Sequence, residues 1–530
     1  MTYLSKQAYL DKMRGCWLGK AIGGTLGAPF EPTRGTFDVE FYTTDLTDGM
    51  IPNDDLDLQL VWLNAAERYG ASVSAETLAE YWMLGIVPNW AEYGVAKSNL
   101  RMGLGAPASG KYNNTYKDSN GAWIRSELWA CLAPGHPEIA TKYAYEDASV
   151  DHADEGVYSE IFMAALQSAA FVESDRMKLI DIALSYIPSD CACAKAVRKL
   201  LELYESGMDW KQARLELLHA HPGSFGGQKH LMVAFCGGMG GQSRLDEEDV
   251  PNANWGFDAP SNVALTLMGW LYAGNDFGRA LCITTGCGED ADCTAGTLGA
   301  ILGILMGAEA IPEKWKAPIG NRIITKCVSE FTNSITLPDT IDALVARTAN
   351  LMPAFLTKHV HITEDDAHLI SAHDGDALYC QPLLVINETN GTAQRFFRDH
   401  IPTGYVFRGA SPLLSVRITA PDGIELSPDT PLPLRVSIEN TSGYFGLPLY
   451  ARLRWLLPDG LSVEGGSEYT VFINQHHCGL GRHAHTVTLR ADAPQAPLVN
   501  AVCELTVTGM PTKIYVPVSL VSTRGDIYDE

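Results

Sequence analysis

The stretch TTGCGEDADCTAGTLGAILG, residues 284 to 303, decides how this chain is read. Glycine, alanine, threonine and leucine dominate it, yet Glu289, Asp290 and Asp292 stand in its middle. The small residues from Ala295 to Met306 predict a buried, closely packed helix. Carboxylates are rarely buried without a partner. No Lys or Arg lies close by in sequence to supply one. A cation shared with a second acidic helix start would meet the need.

Asn53-Asp54-Asp55-Leu56-Asp57 is such a start, ahead of a helix carrying Leu60, Trp62, Leu63 and Ala66. Each acidic start has two readings. In one, the acids only cap: Asn53 is the N-cap, and Asp54 and Asp55 sit at the positive end of the helix dipole. In the other, adjacent carboxylates bind hard cations such as magnesium, which takes oxygen ligands. Taken together, the two starts favour the metal reading over capping alone. Two further segments belong with them. Gly19 to Pro29 is a helix studded with glycines, and Glu31 lies just beyond its end, poised to handle a water proton. Ser119 to Arg125 is a turn-forming segment whose backbone N–H groups suit an anion, or it is an ordinary loop.

These segments resemble, in their order, the ADP-ribosylglycohydrolase family, which includes the enzyme that reactivates dinitrogenase reductase. The family pattern opens with a glycine-rich helix ending in proline, a hydrophobic residue and glutamate, here Gly23 to Glu31. Asn53-Asp54-Asp55 follows, then Asn120 to Arg125, then Asp151-His152, then Asp290-Ala291-Asp292-Cys293. The resemblance implies an all-α domain with two divalent cations, Mg2+ or Mn2+. Its implied metal ligands are Asn53, Asp54, Asp55, Asp290, Asp292 and Cys293. Its implied catalytic residues are Glu31, Asp55 and Asp292, and its implied substrate contacts are Asn120, Gly121 and His152. Asn53 and Cys293 stand where the family has hydroxyl ligands, and Gly24 where many members have Asp. A cysteine sulfur is a poor partner for magnesium.

The 530 residues exceed one core. Apolar periodicity over Leu4 to Leu26, Leu56 to Tyr69, Val157 to Val172 and Ala192 to Glu205 predicts helices, with no alternating strands before about residue 355. Later, Leu434, Val436 and Ile438 alternate with polar residues, as do Ala451, Leu453 and Trp455, and Ala501, Cys503, Leu505 and Val507. Proline-glycine turns separate these runs. The expected organisation is mainly α: an ADP-ribosylglycohydrolase-like catalytic domain over 1–355, a connector over 356–405, and an antiparallel, immunoglobulin-like β-sandwich over 406–530.

A formal net charge of −24 disfavours nucleic acid and anionic membranes as partners. No apolar run reaches the roughly 18 residues of a membrane helix. The start of the chain lacks a signal-peptide layout, and the 12 cysteines read as reduced thiols, so a cytoplasmic setting is expected. The sandwich is expected to mediate assembly, contact carbohydrate or cover an apolar face. Gly105 to Lys111 mimics a phosphate loop but continues into Tyr112 and is discounted. Gly237 to Gly241 reads as a flexible loop near the cleft. His476, Cys478, His483 and His485 form a weak zinc pattern.

The expected function is a metal-dependent hydrolase of a ribosyl glycosidic bond, in ADP-ribosylated protein or an ADP-ribose-like small molecule. Two alternatives stand beside it: a hydrolase of free nucleosides or other glycosides on the same scaffold, and a non-catalytic ADP-ribose-binding relative.

Overall fold

The computed structural model describes residues 2–522 apart from 32, 222–255, 275, 330–334, 363–367, 382–404, 412, 429, 442–446, 476–480, 493–496 and 512. The glycine loop at 237–241 and the histidine and cysteine at 476 and 478 therefore lie outside the described residues. The chain divides into two compact units: residues 1–97 with 113–384, and residues 98–112 with 385–530.

The first unit is helical. Its elements include α1 (Lys6–Gly27), α2 (Asp54–Tyr69), α3 (Glu127–Leu132), α4 (Pro137–Ala148), α5 (Glu155–Ala170), α6 (Ala192–Glu205), α7 (Ala291–Met306) and α8 (Ile341–Leu356). Ser5 caps α1 by accepting the Ala8 N–H. From Gly15 onward every residue of α1 is buried, and so is every residue of α7 up to Ile304. The sequence allows this because both helices carry a small residue every fourth position. Gly15, Gly19, Gly23 and Gly27 of α1 face Gly303, Gly299, Ala295 and Ala291 of α7 in antiparallel order. A methyl group on Gly19 would lie 1.9 Å from the Gly299 carbonyl oxygen, and one on Gly23 1.9 Å from that of Ala295. Backbone thus packs on backbone, and any side chain at these positions would push the helices apart.

Short strands occur in this unit. β1 (Thr2–Ser5) pairs with β5 (His368–Ala372), which pairs with β4 (Val360–Ile362). β2 (Thr33–Arg34) pairs with β3 (Gly288–Glu289). β1, β2 and β3 lie where no alternating strands were expected, and β4 and β5 in the expected connector. Segments this short show no readable alternation, so periodicity could not reveal them.

The second unit holds the expected antiparallel β-sheets. Its strands are β6 (Tyr405–Ala410), β7 (Leu414–Ala420), β8 (Glu425–Leu426), β9 (Leu432–Asn440), β10 (Leu449–Leu456), β11 (Leu461–Val463), β12 (Glu468–Ile473), β13 (Arg482–Ala491), β14 (Leu498–Val507) and β15 (Lys513–Ser522). They form two five-stranded sheets, ordered β12-β10-β14-β15-β8 and β11-β13-β9-β7-β6. All described pairings are antiparallel except the short β15–β8 contact. Leu434, Val436 and Ile438 point into the same apolar core as Leu453, Trp455, Cys503 and Leu505, as their period of two requires. No helix of the described residues is long and apolar enough to cross a membrane.

Candidate active site

Because α1 and α7 run antiparallel, the end of α1 meets the start of α7. A single turn, Ala28–Phe30, leads from α1 to Glu31. The β2–β3 ladder then pairs Thr33 with Glu289, which ties the chain after Glu31 to the chain before Asp290. Gly288 and Glu289 both adopt positive φ, at 67° and 61°. Glu289 is held there by partners. Arg34 Nε donates to its Oε1 at 2.6 Å, Arg34 Nη2 to its Oε2 at 3.0 Å, and the Gly256 N–H to Oε2 at 2.8 Å. Burial pushes the Glu289 carboxyl up, but Arg34 and Arg214 outweigh it and hold the group below the usual carboxylate range. Glu289 is thus the paired acid of the opening stretch, and Asp290 and Asp292 are the other two.

Asp292 and Asp290 sit at the start of α7, both buried. Asp292 Oδ2 accepts from Asn53 Nδ2 at 3.0 Å, and Asp290 Oδ2 accepts from Asn120 Nδ2 at 2.7 Å. Their other oxygens, Asp292 Oδ1 and Asp290 Oδ1, are buried with no hydrogen-bond partner among the described residues. Donor atoms of Glu31, Asp290 and Asp292 lie within 4.8 Å of one another, and so do those of Asp55, Asp292 and Cys293. Either group is compact enough to hold a metal ion, and orphaned buried oxygens are what a hard cation requires.

At the start of α2, Asn53 is the N-cap: its Oδ1 accepts the Asp55 N–H at 2.9 Å. Asp55 Oδ2 lies 3.0 Å from Lys20 Nζ, and Asp55 Oδ1 accepts the Cys293 S–H at 3.2 Å. Asp54 faces the Tyr93 hydroxyl at 3.2 Å and Lys326 Nζ at 3.8 Å. Asp57 turns away and accepts the backbone N–H groups of Lys326 and Cys327, at 2.6 and 2.7 Å. Burial pushes the Asp57 carboxyl up to about 7 against these hydrogen bonds.

Burial, then mutual repulsion, raises the carboxyls of Glu31 and Asp290 well above the usual range; Asp292 is the largest charged neighbour of both. Burial also raises Asp54 and Asp55. A divalent cation among these groups would reverse that pressure.

Lys20 is the residue that the sequence reading missed. The acids were left without a nearby base, but α1 carries one into the core. Lys20 is 2% exposed. Its Nζ reaches Asp55 at 3.0 Å, Glu127 at 3.2 Å, the Ile124 carbonyl at 2.7 Å and the Thr297 hydroxyl at 3.2 Å. Burial alone would lower the ammonium, but Asp55 and Glu127 outweigh it and hold it above its usual range. A signal existed: Lys20 stands between Gly19 and Ala21 in a helix that is otherwise apolar there. Lys326, Tyr93 and Glu127 had no comparable local signal.

Of the three expected substrate contacts, Asn120 is joined directly to the acidic cluster. The Gly121 carbonyl accepts from Arg125 Nη1 at 2.9 Å, and a Cβ on Gly121 would meet Glu92 Oε1 at 2.1 Å. His152 is fully buried, with Nε2 2.9 Å from Ser119 Oγ and Nδ1 3.0 Å from Asp151 Oδ1. Arg125 fixes this segment, pairing with Asp147 at 2.8 Å and Asp151 at 2.6 Å. A separate buried group joins His136, Glu138 and His373. Glu138 Oε1 lies 3.1 Å from His136 Nδ1 and 3.0 Å from His373 Nε2. Burial works against the Glu138 carboxylate, but the two imidazoles outweigh it and bring the carboxyl down to about 2.

In the strand unit, His485 Nε2 lies 2.6 Å from the Tyr469 hydroxyl, and the His483 and His485 rings are 5.2 Å apart.

The family model described as ADP-ribosylglycohydrolase matches residues 5–352. Among curated proteins, none matches the chain. A solved structure titled "ADP-ribosylglycohydrolase-related protein complex" is similar at 18% identity and a TM-score of 0.40, covering 66% of this chain and 98% of that one. The extent of the family match, which takes in Glu31, both acidic helix starts and the Asn120 segment, shows that the chain belongs to the ADP-ribosylglycohydrolase family.

Proposed function

We propose that the chain is a metal-dependent glycosidase that hydrolyses a ribosyl bond in ADP-ribosylated protein or in an ADP-ribose-like small molecule. The observation that carries this is the convergence of Glu31, Asp290 and Asp292 within 4.8 Å, where each aspartate keeps one buried oxygen with no hydrogen-bond partner among the described residues. Mg2+ or Mn2+ bound there would supply Lewis acidity at the ribose. Asp290 and Asp292 would hold the cation, with Asp55 and Asp54 behind them. Asn120 and Asn53 would fix the two aspartates in rotation through one N–H each. Glu31, at the end of α1, would accept or deliver the proton of the attacking water. Gly121 and His152 would shape the adjoining wall.

We assign this reaction to residues 1–355, with 356–405 as connector and 406–530 as the sandwich. A reducing, cytoplasmic setting fits the cysteines, which are free throughout the described residues. Asn53 and Cys293, in place of hydroxyl ligands, favour a second reading: hydrolysis of free nucleosides or other glycosides on the same scaffold.

The test is a panel of ADP-ribosylated protein, ADP-ribosyl small molecules and plain nucleosides, each with Mg2+ or with chelator. Release of ADP-ribose only with metal is expected. Turnover of nucleosides alone would move the assignment to the second reading. Binding of ADP-ribose without any turnover would make the chain a non-catalytic relative.

A further inference from the structure

We infer that this chain holds a single divalent cation, at Glu31, Asp290 and Asp292, and that the Lys20 ammonium and the Asn53 amide take the place of a second. The inference rests on the metal-dependent reading above and concerns how this chain's own residues fill the site.

It follows from which of these carboxylates already faces a fixed positive charge. Asp290 and Asp292 each spend one oxygen on an asparagine N–H and keep one buried oxygen without a hydrogen-bond partner. Glu31 completes that group within 4.8 Å. Asp55 is different. Its Oδ2 faces the Lys20 ammonium at 3.0 Å and its Oδ1 accepts the Cys293 S–H at 3.2 Å. Asp55 Oδ2 has no hydrogen bond among the described residues, as is true of the two open oxygens, but it alone lies against a buried ammonium.

Asn53 turns its amide nitrogen, not its oxygen, toward Asp292. Its Oδ1 is committed to the Asp55 N–H, so its Nδ2 must be the atom pointing at Asp292. Exchanging the two would set an NH2 group against a backbone N–H, and an amide nitrogen has no lone pair for a metal. Asp54 belongs to neither compact donor group, and its oxygens face Tyr93 and Lys326.

Lys20 cannot swing aside cheaply. Its Nζ also holds Glu127, the Ile124 carbonyl and Thr297, all buried. Moving it would leave Glu127 facing Gln59 and Gln167 without its cation. A positive charge fixed this close to Asp55 repels a second metal from that position.

The experiment uses the full chain, stripped with chelator and titrated with Mn2+. Equilibrium dialysis gives the stoichiometry, and electron paramagnetic resonance shows whether the ions are isolated or coupled. One Mn2+ per chain with an isolated six-line spectrum is expected. Two per chain with an exchange-coupled spectrum would overturn the inference while leaving the metal-dependent reading intact. No binding at all would remove that reading and this inference with it. Two variants locate the ion. Asp290→Asn with Asp292→Asn, folded by circular dichroism, should lose it; retention there overturns the placement. Lys20→Met with Asn53→Thr should raise the stoichiometry toward two. A folded double variant that still binds one overturns the part given to Lys20 and Asn53.

Discussion

At the start of α2 the carboxyls face donors; at the start of α7 they face each other. Asp55 has Lys20 on one oxygen and Cys293 on the other, and Asp57 has two backbone N–H groups. Asp290 and Asp292 have one asparagine N–H each and one open oxygen each. Both segments begin buried helices with acids in the first turn. The difference is what the rest of the fold brings to them. The α2 start has a buried ammonium beside it, and the α7 start has only amide N–H donors.

The largest expected effect breaks the open side. Asp292→Ala removes an oxygen that no neighbour replaces, so hydrolysis should fall by more than the roughly 10- to 100-fold typical of outer-shell partners. Turnover assays on protein of unchanged circular dichroism check this, and full activity would remove the site. The α2 side should respond through stability instead. Lys20→Met strands Asp55 and Glu127 in the core, at a cost of about 3–5 kcal/mol in urea unfolding. A loss under about 1 kcal/mol would mean that the pair is already hydrated in solution.

Gly19→Val tests what sets the two starts beside each other. Its side chain would strike the Gly299 carbonyl, and overpacking of about 1–3 kcal/mol or more should lower stability and activity together. Wild-type stability would mean that α1 and α7 are not in backbone contact.

Glu138 gives a comparison with an acid held by two imidazoles on one oxygen. Its folded carboxyl lies near 2 against 4.5 for the free group. A depressed carboxyl stabilises above its unfolded value, so this contribution is present above pH 4.5 and lost as the pH falls toward 2. The loss is on the order of 3 kcal/mol. Glu138→Gln should flatten that part of the stability profile; an unchanged profile would contradict the bridge to His136 and His373. The smallest effect is expected in the strand unit. His483→Ala should change stability by no more than about 0.5 kcal/mol and leave hydrolysis untouched. A larger change would reveal a role for the His483–His485 pair.

Much of this was legible in sequence because local physics dictates it. The glycines of Gly19 to Pro29 and the small residues from Ala295 imply close packing, and alternation from Leu434 to Ile438 requires a half-buried strand. The acidic starts were visible because acids so close to apolar helices are costly unless compensated. The compensation itself was not visible. Lys20 reaches Asp55 only because α1 crosses the core, and Arg34 reaches Glu289 only through a two-residue ladder. Such pairings depend on tertiary register, which composition and periodicity do not encode. The burial of His152 behind Asp151 and Ser119 is of the same kind.

Anomalous diffraction from crystals grown with Mn2+ tests the central claim most directly. A single peak is expected between Asp290 and Asp292, with Glu31 beside it. An active enzyme whose crystals show no peak between these residues would contradict the account.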